Sequence, residues 1–162
     1  MGGTFEKESA KSPSSRSPSQ RVFDCVVMEV SFDYEDKGSS PWGRIYRPIA
    51  KISFRYKNGQ VALVAMVVDT GADYSILPKM VADRLGISLS KDCLKSTTAG
   101  VGGQEKIYFL KTKIEVDLGG IKKLVPVAFF DSDDVPPLLG RLGFLELFDT
   151  TFSKKHKVIF IE

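Results

Sequence analysis

The chain has 162 residues and a mass of 17.9 kDa, and its composition of 43% hydrophobic and 27% charged residues is typical of one globular domain. The chain has 23 Lys and Arg residues against 20 Asp and Glu residues. This nearly even charge balance argues against nucleic acid as a partner, because neutralising phosphates requires an excess of basic residues. No apolar run reaches the ~18–20 residues of a membrane-spanning helix and no secretory signal is visible at the N-terminus, so we expect no membrane partner and a cytoplasmic location.

Histidine and cysteine are too scarce for two common kinds of site. Cys25, Cys93 and His156 are the only such residues, whereas a structural zinc site usually needs about four ligands. We therefore expect no metal and no cofactor. His156 lies in a Lys-rich stretch that is typical of a turn, which makes it a poor candidate for the base of a Ser-His or Cys-His system. Carboxylates remain the candidates for hydrolytic chemistry.

The N-terminal part divides into a tail and the start of a domain. Residues 1–20 contain six serines and two prolines with few apolar groups, which predicts a disordered tail followed by one domain over 21–162. Val22–Phe32 is rich in Val, Phe and Met and favours a strand. Asp33–Pro48 is polar and interrupted by Gly and Pro, and we expect turns there.

A hairpin is the clearest local prediction. Apolar and polar residues alternate over Ala50–Tyr56, which indicates a half-buried strand. Asn58-Gly59 follows, and this pair favours the positive backbone angles of a tight turn. The return strand, Val61–Val68, is apolar nearly throughout, so we expect burial on both of its faces.

The remainder of the chain predicts many short strands and two short helices, and therefore an all-β barrel or sandwich. Pro78–Leu85 has a Pro at its start and Gly86 after its end, as a helix does. The other predicted elements are a strand over Leu110–Leu118, a turn at Gly119-Gly120, a strand over Leu124–Phe130, a loop over Asp131–Pro137, a helix over Arg141–Phe148, and a final hairpin of Thr150–Phe152 and Val158–Ile161.

A carboxylate, a hydroxyl and a glycine follow directly on the apolar strand, as Asp69, Thr70 and Gly71, before Ala72 and Asp73. A carboxylate at the end of a buried strand is costly unless it is paired or used in chemistry. The glycine permits a sharp turn and a close approach of another chain segment. Taken alone, Asp69 could also be a strand-end cap and Asp73 a solvated turn residue.

The stretch Val67-Val68-Asp69-Thr70-Gly71-Ala72-Asp73-Tyr74-Ser75-Ile76-Leu77 resembles the active-site signature of retroviral-type aspartic proteases. Two further markers of that family follow in order, a Gly-rich flap run at Gly100-Val101-Gly102-Gly103 and the downstream motif Leu138-Leu139-Gly140-Arg141. The chain is longer than the viral enzymes and looks more like their cellular relatives. The resemblance implies a retropepsin-like acid-protease β-barrel with one or two short helices and one lobe per chain.

The resemblance also implies roles for single residues. Asp69, Thr70 and Gly71 correspond to the catalytic motif. Substrate contacts would come from the residues after it and from the flap, namely Ala72, Asp73, Gly100, Val101, Gly102 and Gly103. Gly140 and Arg141 would be structural or lie at a dimer interface, and Asp73 would form an ion pair with Arg141; without the resemblance, Arg141 reads equally as a surface residue at a helix start.

One Asp-Thr-Gly motif is half of an aspartic protease site, because the reaction needs two carboxyl groups that share one proton. We therefore expect a homodimer in which Asp69 of each copy activates a water that attacks an extended peptide or an unfolded protein. The alternatives are a retropepsin-like module that dimerises or binds peptide without cleaving it, and a structural barrel with a chance motif. Val158–Ile161 is a candidate for the dimer contact, and Val22–Phe32 could cover a sheet edge.

Overall fold

The computed structural model describes residues 26–100 and 103–162. The predicted disordered tail, the first residues of the predicted strand Val22–Phe32, and the flap residues Val101 and Gly102 lie outside this part. The described elements are β1 (Glu29–Asp33), β2 (Glu35–Ser40), β3 (Gly43–Arg47), β4 (Ile49–Arg55), β5 (Val61–Val68), β6 (Ile76–Leu77), α1 (Lys79–Arg84), α2 (Leu89–Asp92), β7 (Cys93–Gly100), β8 (Gly103–Leu110), β9 (Ile114–Leu118), β10 (Ile121–Val125), β11 (Ala128–Phe130), β12 (Leu138–Leu139), a 3₁₀ helix (Leu145–Leu147), β13 (Asp149–Ser153) and β14 (Lys157–Ile161).

The all-β prediction is confirmed. The structure has two short helices, α1 and α2, of which only α1 lies where the sequence predicted a helix. Nine strands form one curled sheet, a half-barrel, in the order β10-β9-β4-β5-β12-β6-β11-β8-β7. A separate three-stranded sheet has the order β1-β14-β13, and β2 pairs with β3 alone. One continuous hydrophobic core joins the concave face of the large sheet to α1 and to the inner residues of β14, Val158 and Phe160.

The predicted hairpin of β4 and β5 is present, with antiparallel pairing from Ile49 opposite Val67 to Arg55 opposite Val61. Gly59 has a φ of +78°, a left-handed conformation that glycine adopts without steric cost. The prediction that Val61–Val68 is buried on both faces is wrong. Its residues alternate between exposed and buried, and Leu63 is 64% exposed, because only one face of this sheet lies on the core.

Asp33–Pro48, predicted as turns, is instead mostly a hairpin of β2 and β3. Its strands are polar and largely exposed, so they lack the apolar alternation by which a strand is recognised in sequence. The two strands pair antiparallel through their backbones, and an exposed ion pair of Arg44 with Asp36 spans them. The Ser/Thr-rich strand β7 was missed for the same reason.

Several element boundaries also differ from the predictions. Within the described residues, the first strand begins at Glu29 rather than at Val22. The predicted strand Leu124–Phe130 is split into β10 and β11 around Pro126, which has no N–H to donate to a sheet. Likewise β8 ends at Leu110 and β9 begins at Ile114.

Of the two predicted helices, the structure contains one. Pro78–Leu85 is confirmed as α1, and Gly86 follows its last residues with a φ of +67°. The predicted helix Arg141–Phe148 is wrong, because the segment forms turns with a single 3₁₀ helix, Leu145–Leu147. In the described part of the chain, no helix has the length and apolar character needed to cross a membrane.

Candidate active site

Two parallel strands place Asp69 at the edge of the core. Leu138 and Leu139 of β12 lie beside Val67 and Val68 of β5, and the amide of Asp69 donates a hydrogen bond of 3.0 Å to the carbonyl oxygen of Leu139. Val68 and Leu139 are buried in the core, and their burial anchors the start of the loop. Asp69 therefore has a fixed position where the chain leaves the sheet.

The loop after β5 closes on the Asp69 carboxylate. The amide of Gly71 donates to Asp69 Oδ1 at 2.9 Å, and the amide of Ala72 donates to the Asp69 carbonyl oxygen at 3.2 Å. A Cβ at residue 71 would lie 3.2 Å from the same Oδ1, closer than side-chain contacts normally are. A glycine at this position therefore lets the backbone amide approach and orient the carboxylate. Thr70 is exposed and available to another molecule.

The loop and the segment after β12 are joined by backbone and side chain together. The amides of Arg141 and Leu142 donate to the carbonyl oxygens of Ala72 and Asp73 at 3.0 and 2.8 Å. The structure contains the predicted ion pair within one chain, with Arg141 Nη2 2.6 Å from Asp73 Oδ1. Both side chains are about half exposed, so the pair contributes little to folding stability. The pair links the loop after β5 to the segment after β12.

Gly140 lies where these two segments touch. A Cβ at residue 140 would be 2.3 Å from both the carbonyl carbon and the carbonyl oxygen of Tyr74, and 2.9 Å from the amide nitrogen of Ser75. The Gly140 amide donates to Ser75 Oγ at 3.1 Å. Ser75 is 2% exposed and is the only buried polar residue in the described ranges. The sequence did not identify Ser75 as a residue of the site. Its place between Tyr74 and Ile76, two apolar residues, was the only sign that it is buried.

The first and last residues of the flap motif, Gly100 and Gly103, belong to a long hairpin. Strands β7 and β8 pair from Cys93 opposite Leu110 to Gly100 opposite Gly103, which flank the two residues outside the described part. This hairpin is tied to the Asp69 loop through β11 and β6, and by an edge-to-face contact of 4.9 Å between the Tyr74 and Phe109 rings. Tyr74, Phe109 and Leu142 line an apolar cavity of about 150 Å³ beside the loop.

His156 belongs to a different part of the fold from the Asp69 loop. It lies in the turn between β13 and β14, with a φ of +57°, and its ring stacks on Tyr46 at 4.3 Å and Tyr34 at 5.7 Å. Among residues 26–100 and 103–162, no group of three or more His, Cys, Asp or Glu side chains could hold a metal ion. The loop itself presents the Asp69 carboxylate, which accepts a hydrogen bond from the Gly71 amide.

An Asp-Thr-Gly loop follows a strand here, is hydrogen-bonded to a Gly-Arg segment and precedes the β7–β8 hairpin in the chain. This arrangement is typical of a retropepsin-like protein. Residues 56–146 match the family described as "gag-polyprotein putative aspartyl protease", which covers more than half of the chain. The chain belongs to this family, and the resemblance seen in the sequence is confirmed.

A solved structure agrees with this assignment. The chain is similar to a retropepsin-like aspartic protease from Rickettsia conorii, with a TM-score of 0.55 and 22% identity over 83% of this chain and 98% of that chain. At this identity the likeness concerns the fold. No curated protein matches the sequence.

Proposed function

We propose that this protein is an aspartic endopeptidase that works as a homodimer, with one Asp69 from each copy in a shared site. The observation that carries the proposal is the Asp69 carboxylate directly after β5, oriented by the Gly71 amide at 2.9 Å. A chain that supplies one such motif supplies half of a dyad, so a second copy is required.

Two carboxyl groups brought together about a two-fold axis share one proton, because two like charges roughly 3 Å apart do not both ionise. The ionised Asp69 takes a proton from a water molecule as that water attacks the carbonyl carbon of the peptide bond. The protonated Asp69 of the partner donates its proton to the carbonyl oxygen. When the tetrahedral intermediate breaks down, the Asp69 that took the proton of water gives it to the leaving nitrogen as the C–N bond breaks. The partner's Asp69 takes back a proton from a hydroxyl of the intermediate as the carboxylic acid product forms, so the dyad again holds one proton.

The neighbouring residues have supporting roles in the proposal. Thr70 is exposed and would brace the partner's loop across the axis. Ala72 and Asp73 would bind the backbone of an extended peptide from one side. The β7–β8 hairpin, with its run Gly100 to Gly103, would close over the peptide from the other side and exclude water. In the proposed reaction the two Asp69 carboxyl groups activate the water and polarise the carbonyl, so the proposal includes no metal or organic cofactor.

Cleavage of unfolded casein at mildly acidic pH tests the proposal. We expect activity in the wild type and its loss in Asp69→Asn, which has nearly the same shape but cannot accept the proton of water. The matched control is Asp83→Asn, on the exposed face of α1, whose carboxylate pairs only with Lys79. This control should retain full activity. Equal cleavage by wild type and Asp69→Asn, or none by either at any pH, would favour a non-cleaving peptide-binding module.

The solution mass gives a second measurement. We expect a species of twice 17.9 kDa at the concentrations where casein is cleaved. Activity from a strictly monomeric protein would contradict the proposed dyad, because one described chain contributes one Asp-Thr-Gly loop.

A further inference from the structure

The two edges of β5 differ in what they contact. Successive amides of a strand point to opposite edges. The Val68 amide donates to the residue before β4, whereas the Val67 amide donates to the Pro137 carbonyl oxygen beside β12, both at 2.9 Å. By the same alternation, the N–H and C=O groups of Leu63 and Ala65 point away from β4. They lie on the edge that β5 shares with β12.

Strand β12 covers only the end of that edge. It pairs with Val67 and Val68, and no strand in the described ranges lies beside the preceding residues of β5 on this side. A parallel ladder extended by one more step would need an N–H at residue 137 to reach the Ala65 carbonyl oxygen. Pro137 has no N–H, so the ladder stops there. Among residues 26–100 and 103–162, no other backbone group hydrogen-bonds with the backbone of Leu63 or Ala65.

A groove runs along this open edge and encloses about 230 Å³. One wall is β5, where residues 62–65 all line the groove. Because the side chains of β5 alternate between the core and solvent, a space that touches four successive residues follows the edge of the strand rather than one face. The other wall is formed by α1 and the residues around it, Pro78, Met80, Val81, Arg84 and Pro137. Pockets for small molecules enclose about 300–1,000 Å³, so this smaller groove is better matched to a peptide chain lying along the strand.

The lining of the groove is mostly apolar and partly exposed to solvent. Leu63 is 64% exposed and Met80 is 59% exposed. In the described part of the chain, Arg84 is the one charged residue that lines the groove, and it forms no ion pair there. Its neighbour Asp83 pairs with Lys79 instead. An apolar surface beside an unpaired strand edge marks a site for another protein, and Arg84 favours a protein that supplies a carboxylate.

We propose that this groove binds an extended, acidic segment of a partner protein as an added strand of the sheet. The backbone of the segment hydrogen-bonds with Leu63 and Ala65, as in other cases where a peptide extends an open sheet edge. An apolar side chain of the segment packs between Leu63 and Met80, and an Asp or Glu side chain pairs with Arg84. The groove does not include Asp69, so this inference stands or falls independently of the proposed peptidase activity.

Amide hydrogen exchange tests whether the edge is open in the free protein. The amides of Ala62 and Val64 face β4, whereas those of Leu63 and Ala65 face the groove. We expect the second pair to exchange at least about ten-fold faster than the first, because hydrogen-bonded amides are protected. Equal protection of all four amides would mean that another part of the chain or a second copy already covers the edge, and would overturn the proposal.

Selection from a display library of random peptides of about 12 residues tests what the groove binds. The protein used is Asp69→Asn, so that bound peptides are not cleaved. We expect selected peptides with apolar residues at alternate positions and an Asp or Glu. The leading peptide, made synthetically, should slow exchange at Leu63 and Ala65 by at least about ten-fold. Its Kd should rise by at least about ten-fold when Leu63→Gln or Arg84→Glu is added.

Matched controls come from other surfaces of the same protein. Leu124→Gln changes a leucine that is 63% exposed on β10, and Arg47→Glu reverses an exposed arginine on β3. Both should bind the peptide as tightly as Asp69→Asn alone, and circular dichroism should show every variant folded. Peptides that bind equally well to Leu63→Gln and Arg84→Glu occupy the Asp69 cleft or another surface. A selection that yields only such peptides, or none at all, overturns the proposal.

Discussion

Replacing Gly140 with alanine tests how the candidate site is built. The added methyl group would lie 2.3 Å from the Tyr74 carbonyl carbon and oxygen and 2.9 Å from the Ser75 amide nitrogen. Rotation of a side chain cannot relieve a clash with backbone, so β12 or the loop must move. Overpacking of this kind costs typically about 1–3 kcal/mol, and the backbone clash favours the upper end. About 3 kcal/mol lowers the Tm of a domain of this size by roughly 9 °C.

Thermal unfolding followed by circular dichroism measures this effect. Every variant must be compared at one protein concentration, since dimerisation shifts the Tm. The control is Gly120→Ala, where a Cβ meets nothing within 4 Å but φ is +102°, so only backbone strain of about 1 kcal/mol is expected. We also expect Gly140→Ala to lose casein cleavage, because moving the loop moves Asp69. If Gly140→Ala unfolds no earlier than Gly120→Ala, the close approach does not constrain the site.

Three further predictions concern single contacts. Arg141→Ala removes a half-exposed pair with Asp73, so unfolding should change by under about 1 kcal/mol while casein cleavage and dimer mass fall; unchanged activity and dimerisation would refute the bracing role. Asp133→Ala removes the carboxylate that accepts the Met80 amide at 2.6 Å at the start of α1, which should cost about 1 kcal/mol in urea unfolding, and an unchanged midpoint would contradict it. Burial raises the pKa of the Cys93 thiol, and the charge of Asp92 acts in the same direction. In the Cys25→Ser variant, a thiol reagent at pH 8 should therefore react with Cys93 slowly in the folded protein and quickly in the unfolded protein. The stabilisation from this thiol is fully present below its unfolded pKa of about 8.5 and is lost as pH rises through the folded pKa, a loss that Cys93→Ala should not show.

Local patterns in the sequence were sufficient for part of this architecture. The β4–β5 hairpin was predicted because alternation and Asn58-Gly59 act over neighbouring residues. The helix α1 was predicted from Pro78 and Gly86 for the same reason. The β2–β3 hairpin was missed, since its polar, exposed strands carry no hydrophobic period.

At the candidate site, the motif around Asp69 was recognisable because it is contiguous. The contacts that hold it are not contiguous. Ser75 supports Gly140 across 65 residues, and Asp133 caps α1 across 53, because Pro78 has no side-chain oxygen to do so. Hydrophobic periodicity reports only on neighbouring residues, so it cannot predict contacts between residues this far apart in the sequence.

The amino-acid sequence alone therefore established an all-β chain with one Asp-Thr-Gly motif, and hence the need for a second copy. Those properties depend on residue type, spacing and count. Which strand edges of the small sheet remain unpaired in the described residues depends on the pairing of β14 with β1 as well as with its neighbour β13, and β1 is separated from both by most of the chain. Only the folded structure decides it, because hydrogen bonding between distant strands is satisfied in three dimensions and leaves no mark on local sequence.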